Sequence, residues 1–295
     1  MGLPMLRRDL FKTLPAFALG GKLSAVPLDR LARLRTAICA YSFRNELKDG
    51  SMTYDDLVRL AVQTGVDGLD LTVYWFPSTS DTFLLPLRLL AYKHAVEIYS
   101  ISVRTDMCRP TAELRAQEVE EVKKWVDVAA KLGAGHIRVF GGTVPKGETE
   151  DRAAEWVAEI LRRAAEYSGS RGVILGLENH GGITLRAERI IQIVKMVNSP
   201  WVGINLDTGN FRENSYEQIA MCLPDAVNAQ FKTEIRDSLG RSEPADWDRL
   251  TALFAKAGYK GYLALEYESR EDARQAVPPL LAKLNALAAK YSNRV

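Results

Sequence analysis

Short runs rich in β-branched and aromatic residues alternate with longer amphipathic segments along most of the chain. Such runs are typical of buried strands, whereas apolar residues at positions i, i+3, i+4 and i+7 are typical of helices with one buried face. Eight runs of the strand type follow one another: Thr36–Phe43, Gly68–Tyr74, Glu97–Arg104, His136–Gly141, Val173–Asn179, Val202–Asp207, Val227–Lys232 and Tyr262–Tyr267. The pattern predicts eight strands separated by helices.

Helix-type segments occupy several of the intervals between these runs. They are Tyr54–Thr64, Ala112–Leu132, Glu150–Ser168, Leu185–Val197, Trp247–Lys256 and Glu271–Tyr291. Thr53 precedes the first of them and Asp56 follows three residues later, which predicts an N-terminal cap. Glycines come just after several segments, as expected where a helix ends and leads into a strand.

Strand–helix alternation predicts a parallel sheet with right-handed crossovers. Eight units favour a closed barrel over an open doubly wound sheet, and no Gly-x-Gly-x-x-Gly turn follows the first strand to indicate the open form. We therefore predict one α/β domain, a single (β/α)₈ TIM barrel over residues 36–295.

The N-terminal 35 residues have a different character. Leu6–Lys12 contains the paired arginines Arg7 and Arg8 and resembles a twin-arginine export motif, and a short apolar run follows it. A charged start followed by a short apolar stretch is typical of a signal peptide. We predict that residues 1–35 are a signal peptide and leader that direct the protein to the periplasm. The alternative is an N-terminal helix that covers the bottom of the barrel in a cytoplasmic protein.

Composition excludes several classes of protein. Hydrophobic residues make up 47% and charged residues 26% of the 295, as in an ordinary globular protein. The net charge of +2 provides no positive field for nucleic acid. The three cysteines form no disulfide framework. Outside the N-terminus no apolar run approaches the length of a membrane span, so no membrane insertion is expected.

Several of the predicted strands, the second, third, fourth and seventh, have a polar face. In the seventh strand Asn228, Gln230 and Lys232 alternate with apolar neighbours, and alternate residues of a strand point to opposite sides. The apolar side of a barrel strand should face the helices, so the polar side should face the barrel interior. A polar interior must be hydrogen-bonded or hydrated. This predicts an active-site mouth at the C-terminal ends of the strands.

Three acidic residues end strands at that mouth: Glu178, Asp207 and Glu266. Carboxylates that converge repel one another unless a cation or protons neutralise them. One hypothesis is a divalent metal ion held by these three groups and the Gln230 amide oxygen, because such oxygen ligands suit Mn²⁺ or Mg²⁺. The alternative is that each acid pairs with an inward-facing cation, and the candidates are Arg104, Arg138 and Lys232.

At these positions the chain resembles the xylose-isomerase-like TIM-barrel superfamily, the group of sugar phosphate isomerases and epimerases, ketose 3-epimerases and inosose dehydratases. The resemblance rests on the successive motifs Leu-Glu-Asn-His-Gly, Leu-Asp-Thr-Gly-Asn-Phe, Gln-Phe-Lys and Ala-Leu-Glu-Tyr-Glu. It implies one divalent metal ion bound by Glu178, Asp207, Gln230 and Glu266. Gln230 stands where the family usually has histidine, which favours Mn²⁺ or Mg²⁺ over Zn²⁺.

The resemblance also implies the chemistry. Glu178 and Glu266 are the predicted acid–base catalysts, and Arg138, His180 and Lys232 are the predicted substrate-binding residues. We expect an enzyme of carbohydrate metabolism that isomerises or epimerises a keto-sugar or related small-molecule substrate through a metal-bound enediolate. Two alternatives stay open: a lyase or dehydratase that acts on a 3-keto-glycoside or inosose, and a non-catalytic sugar-binding barrel. The outer helices could support a homodimer, but nothing in the sequence specifies one.

Overall fold

The computed structural model describes residues 31–292 of the chain. Its strands are β1 (Arg33–Cys39), β2 (Gly68–Thr72), β3 (Glu97–Ser102), β4 (His136–Phe140), β5 (Ile174–Glu178), β6 (Val202–Asp207), β7 (Ala226–Phe231), β8 (Glu234–Arg236), β9 (Ser242–Pro244) and β10 (Lys260–Leu265). Its helices are α1 (Arg44–Asp49), α2 (Tyr54–Thr64), α3 (Asp81–Lys93), α4 (Ala112–Leu132), α5 (Glu150–Ser170), α6 (Ala187–Val197), α7 (Ser215–Cys222), α8 (Trp247–Lys256) and α9 (Ala273–Tyr291).

Eight of the strands close into a parallel barrel in the order β1-β10-β7-β6-β5-β4-β3-β2, and β1 pairs with both β10 and β2. The predicted (β/α)₈ architecture is confirmed. The remaining strands, β8 and β9, form a small antiparallel hairpin in the loop after β7. Strand β1 begins at Arg33, slightly before the predicted start of the barrel. Most of the predicted signal peptide, residues 1–30, lies outside the described residues.

Local sequence explains where the helices begin and end. At the start of α2, the Thr53 side chain accepts a hydrogen bond from the Asp56 N–H while the Asp56 carboxylate accepts one from the Thr53 N–H, so the predicted cap is present. Helix α4 ends at Leu132 and is followed by Gly133, which has a φ of 82° that favours glycine. Helices α3 and α7 lie in intervals where our sequence analysis named no helix. Helix α3 contains Pro86, which breaks the usual helical pattern, and α7 has only 8 residues.

The two faces of the strands divide as the sequence predicts. In β2, Leu69 and Leu71 belong to the hydrophobic core that the strands share with the outer helices. The alternate residues Asp70 and Thr72 are also fully buried, although they are polar. Because the outer layer is apolar, such polar residues fill the barrel interior. Below them, Tyr99 and Tyr262 stack in a separate apolar cluster with their ring centroids 3.6 Å apart. No helix among residues 31–292 combines the length and the apolar character needed to cross a membrane.

Gly176 in β5 provides a test of this interior packing. A Cβ atom there would lie 2.2 Å from Nε2 of buried His136 and 3.0 Å from the Asn205 Cβ. We expect Gly176→Ala to lower the free energy of unfolding by about 1–3 kcal/mol, because a methyl group overpacks the interior. Urea denaturation measures this loss. Gly135→Ala is the matched control, since the atom nearest to an added Cβ at Gly135 is the Gly172 carbonyl oxygen, 4.0 Å away. Equal stability of the two variants would contradict the packing described.

Candidate active site

A cavity of about 700 Å³ opens at the C-terminal ends of the barrel strands, where TIM barrels carry their active sites. Both predicted catalytic residues line this cavity, because Glu178 is the last residue of β5 and Glu266 follows β10 directly. All three predicted substrate-binding residues line the same cavity: Arg138, His180 and Lys232. A volume of this size is large enough for a sugar.

Glu178 is paired with a buried arginine. Its Oε2 lies 2.9 Å from Nε of Arg138, and the side chains of both residues are 3% exposed. The N–H does not point along this line, so the contact is an ion pair without a hydrogen bond. On its other side, Glu178 Oε1 accepts a hydrogen bond from Asn210 Nδ2 at 3.0 Å and lies 2.8 Å from His180 Nδ1. Burial would raise the pKa of Glu178, but the charge of Arg138 and the contact with His180 lower it below its usual value.

Lys232 occupies the centre of a second group of acids. Its Nζ lies 3.3 Å from Asp207 Oδ2 and 3.5 Å from Glu266 Oε1, and it also pairs with Glu268 Oε2. We call Asp207, Glu266 and Glu268 the carboxylate cluster. The Lys232 side chain is only 9% exposed. Burial would lower the pKa of this ammonium, but the three carboxylates raise it well above its usual value. Lys232 is therefore charged.

Burial raises the pKa values of two carboxylates in the cluster, those of Glu266 and Asp207. Burial raises the pKa of Glu266 to about 7, and the charges of Glu268 and Glu178 oppose the lowering effect of Lys232. Burial likewise raises the pKa of Asp207 well above its usual value. Each of the three strand-end acids keeps one buried oxygen without a hydrogen bond: Glu178 Oε2, Asp207 Oδ2 and Glu266 Oε2. Such unsatisfied buried acceptors are rare and mark places where a donor or cation is needed.

Gln230 lies below this mouth and belongs to a buried hydrogen-bond network. Its Oε1 accepts a hydrogen bond from Asn205 Nδ2 at 2.7 Å, and its Nε2 donates one to Asp70 Oδ2 at 3.1 Å. Asn205 Oδ1 in turn accepts from Asn228 Nδ2 at 2.7 Å, and the Tyr99 hydroxyl donates to Asn228 Oδ1 at 3.1 Å. The Gln230 amide is thus bonded within the barrel interior. The other predicted site residues come together at the mouth: Glu178, Asp207, Glu266, Arg138, His180 and Lys232.

These contacts decide how far the residues fit the predicted metal ion. The three unsatisfied carboxylate oxygens would suit a cation. However, two of these oxygens already have a cation within ion-pair distance: Glu178 Oε2 lies near Arg138, and Asp207 Oδ2 lies near Lys232. The Gln230 oxygen is bonded to Asn205. Within residues 31–292, no group of three or more His, Cys, Asp or Glu side chains is arranged to hold a metal ion. The arrangement therefore does not fit the predicted metal ion and corresponds to the alternative in which cationic side chains neutralise the acids.

Aromatic residues line part of the mouth, among them Tyr41, Tyr74 and Phe140. Tyr41 stacks on Trp75 with ring centroids 5.9 Å apart, and the Tyr74 hydroxyl accepts a hydrogen bond from Arg138 Nη1 at 3.1 Å. Phe140 stacks on His180 at 4.0 Å. Tyr41 and Phe140 were missed, because an aromatic residue at a strand end does not differ in sequence from a core residue.

Comparison with known proteins agrees with this fold. A family model described as "Xylose isomerase-like TIM barrel" matches residues 58–287. No sequence among curated proteins matches the chain.

Solved structures with the same fold are distant in sequence. D-psicose 3-epimerase from Clostridium cellulolyticum H10, solved with D-tagatose, has 16% identity and a TM-score of 0.69, and the match covers 88% of this chain and 98% of that one. An IOLI protein with a bound zinc atom has 15% identity and a TM-score of 0.69 over 88% of this chain and 100% of that one. The probable 3-DHS dehydratase AsbF from Bacillus anthracis has 16% identity and a TM-score of 0.61 over 88% and 100%.

Proposed function

Since the chain belongs to the xylose isomerase-like TIM barrel family, we propose that it is a sugar isomerase or epimerase that removes a proton from the carbon next to a carbonyl. One observation carries the proposal: Glu178 and Glu266 line one cavity together with the buried cations Arg138 and Lys232. Proton abstraction next to a carbonyl needs a base, an acid and positive groups near the oxygen that gains charge. The cavity holds all three.

The environments of the two glutamates assign their roles. The ion pair with Arg138 lowers the pKa of Glu178, so this carboxylate is ionised and acts as the base. Burial raises the pKa of Glu266 to about 7, so it holds a proton in part of the molecules near neutral pH and acts as the acid. Carboxyl groups whose pKa values are pushed apart by their surroundings commonly divide the two roles in this way.

The reaction then proceeds in two proton transfers. Glu178 takes the proton from the carbon next to the carbonyl, and the electron pair of the broken C–H bond forms an enediolate. Lys232 and Arg138 stabilise the negative charge on the enediolate oxygen. Glu266 returns a proton to the opposite face of the same carbon, which gives epimerisation. If the proton instead goes to the former carbonyl carbon, the hydroxyl proton of the first carbon moves to the former carbonyl oxygen, which gives isomerisation.

His180 and Asn210 have a positioning role in this scheme. Both contact Glu178 Oε1, at 2.8 Å and 3.0 Å, and so fix the orientation of the carboxylate. The His180 side chain is 55% exposed and faces the cavity, where it is available to a sugar hydroxyl. The unsatisfied oxygens of Glu178 and Glu266 can accept further sugar hydroxyl groups.

The proposed chemistry uses side chains that are present and requires no metal ion. Binding of Mn²⁺ or Mg²⁺, which the sequence predicts, stays a prediction, and metal analysis of the purified protein tests it. A bound divalent ion would supply charge stabilisation next to the carbonyl oxygen. Since the donor arrangement does not match such an ion, Lys232 and Arg138 provide that stabilisation here.

A lyase is the second candidate. The same proton removal, followed by loss of a β-hydroxyl or β-glycosyl group that Glu266 protonates, would give dehydration or glycoside cleavage. The structural similarity to the probable dehydratase AsbF favours keeping this candidate. A 3-keto-glycoside or an inosose would be the corresponding substrate.

The predicted cellular compartment limits the kinds of sugar that can be the substrate. If the predicted twin-arginine motif of residues 6–12 directs export to the periplasm, the substrate is a free sugar and not a sugar phosphate.

Proton exchange in D₂O tests the proposed function. We expect the protein to incorporate deuterium next to the carbonyl of at least one free keto-sugar, observed by NMR as the loss of that C–H signal, and to leave the phosphorylated counterparts unchanged. A product that has lost water or a glycosyl group would identify the lyase instead. Sugar binding without any exchange would contradict the enzyme and leave the non-catalytic barrel.

A further inference from the structure

We propose that the ammonium group of Lys232, and not a divalent metal ion, is the resident cation of the carboxylate cluster. The inference rests on the proposed function only in that it concerns the same cavity. It assigns Lys232 the electrostatic role that the family resemblance gives to a metal ion, and so places this chain among proteins that would stabilise an enediolate with side-chain cations alone.

The first support is the position of the ammonium group. Lys232 Nζ contacts one oxygen of each member of the cluster: Asp207 Oδ2, Glu266 Oε1 and Glu268 Oε2. The contact with Glu268 is a hydrogen bond, and the contacts with Asp207 and Glu266 are ion pairs at 3.3 Å and 3.5 Å. A divalent ion that used Asp207 and Glu266 together would have to occupy the space between them, where Nζ already lies, and the two positive charges would repel each other.

The second support is that neighbouring residues fix the backbone of Lys232 and leave room for its side chain. Its backbone N–H donates to Thr208 Oγ1 at 2.9 Å, and its carbonyl oxygen accepts from Trp247 Nε1 at 2.8 Å. Gly209 lies against the stem, and a Cβ atom at that position would be only 2.6 Å from Lys232 Cγ. The turn after β6 therefore leaves room for this lysine because it contains glycine.

The third support is the fixed orientation of Gln230. Its amide would have to turn toward the mouth to serve as a ligand. Turning would leave Asn205 Nδ2 and Asp70 Oδ2 without their partners, and both atoms belong to residues that are fully buried. Unsatisfied buried groups are costly, about 1–3 kcal/mol each. The network that runs from Tyr99 through Asn228 and Asn205 thus keeps Gln230 below the mouth.

Metal binding without any sugar tests the inference. The full chain, purified without a histidine tag, is analysed for metal by mass spectrometry and titrated with Mn²⁺ while free Mn²⁺ is followed by electron paramagnetic resonance. We expect well under one equivalent of metal in the purified protein and no Mn²⁺ binding at micromolar concentration. Lys232→Met, and Lys232→Met combined with Gln230→His, are expected to bind Mn²⁺ at least about tenfold more tightly than the wild type, because the repulsion is removed. Lys195→Met, on the exposed side of α6, is the control.

Each outcome decides the inference. One equivalent of tightly bound metal in the wild type would overturn it, even if a variant failed to fold. Failure of the wild type and of both Lys232 variants to bind Mn²⁺ would also overturn the inference, since removing the resident cation should open a cation site. These measurements involve no sugar, so they are independent of the D₂O exchange experiment. If exchange fails while metal binding follows the expected order, the proposed reaction is wrong and the role of Lys232 as resident cation stands.

Discussion

Glu266→Gln is expected to slow deuterium exchange into a keto-sugar by about 10²–10⁴-fold, the usual contribution of a positioned acid–base group. Glutamine keeps the shape of the side chain but cannot deliver a proton. Lys232 retains Asp207 and Glu268 as partners in this variant, so the charge of the lysine stays compensated. The loss should therefore fall on the rate and not on folding. NMR in D₂O measures the exchange rate, and a thermal melt checks that the fold is intact.

Glu271→Gln is the matched control for this prediction. Glu271 is an exposed acid five residues further along the chain, and it does not line the cavity. We expect its exchange rate to equal that of the wild type. An exchange rate in Glu266→Gln within a factor of about two of the wild type would remove Glu266 from the acid–base role, because even the weaker known contributions exceed that factor.

Arg138→Met is expected to lower the free energy of unfolding by about 3–5 kcal/mol, because it leaves the Glu178 carboxylate buried without its cation. The size of the effect follows from burial: both side chains of the pair are 3% exposed. Urea denaturation measures the loss. In contrast, Arg59→Met removes an exposed partner of Asp56 and should change stability by no more than about 1 kcal/mol.

A double variant separates the ion pair from simple packing. Arg138→Met combined with Glu178→Gln removes both charges and preserves much of the volume, so it should recover most of the stability that Arg138→Met loses. If the double variant is as unstable as the two single losses added together, the two residues act independently and the ion pair does not stabilise the fold.

Local patterns were sufficient to predict the fold. Helix α4 has the predicted bounds because its apolar residues recur at helical spacing and Gly133 ends it. Strand β6 also has the predicted bounds, and its last residue is the acid at the mouth, Asp207. Helix α3 was not named in advance, since Pro86 interrupts the pattern that identifies helices. The N-terminal signal stays a prediction from the sequence.

The candidate site was predicted in part. Alternation along the strands placed Glu178 and Glu266 at one mouth, because parallel strands end on the same side of a barrel. The sequence left two ways to neutralise these acids, a metal ion or inward-facing basic side chains, and it could not choose between them. Of the three basic candidates, Arg138 and Lys232 pair with the strand-end acids, whereas Arg104 lies over the ring of Tyr74.

Sequence by itself thus determined the barrel, the polar interior and the order of acids around the mouth, because all of these follow from spacing along one chain. Only the tertiary structure decided which cation meets which acid and which way the Gln230 amide faces. Those contacts join residues that are far apart in sequence, such as Gln230 and Asp70. Their geometry depends on strand register and on the room that neighbouring side chains leave, and no local pattern records either.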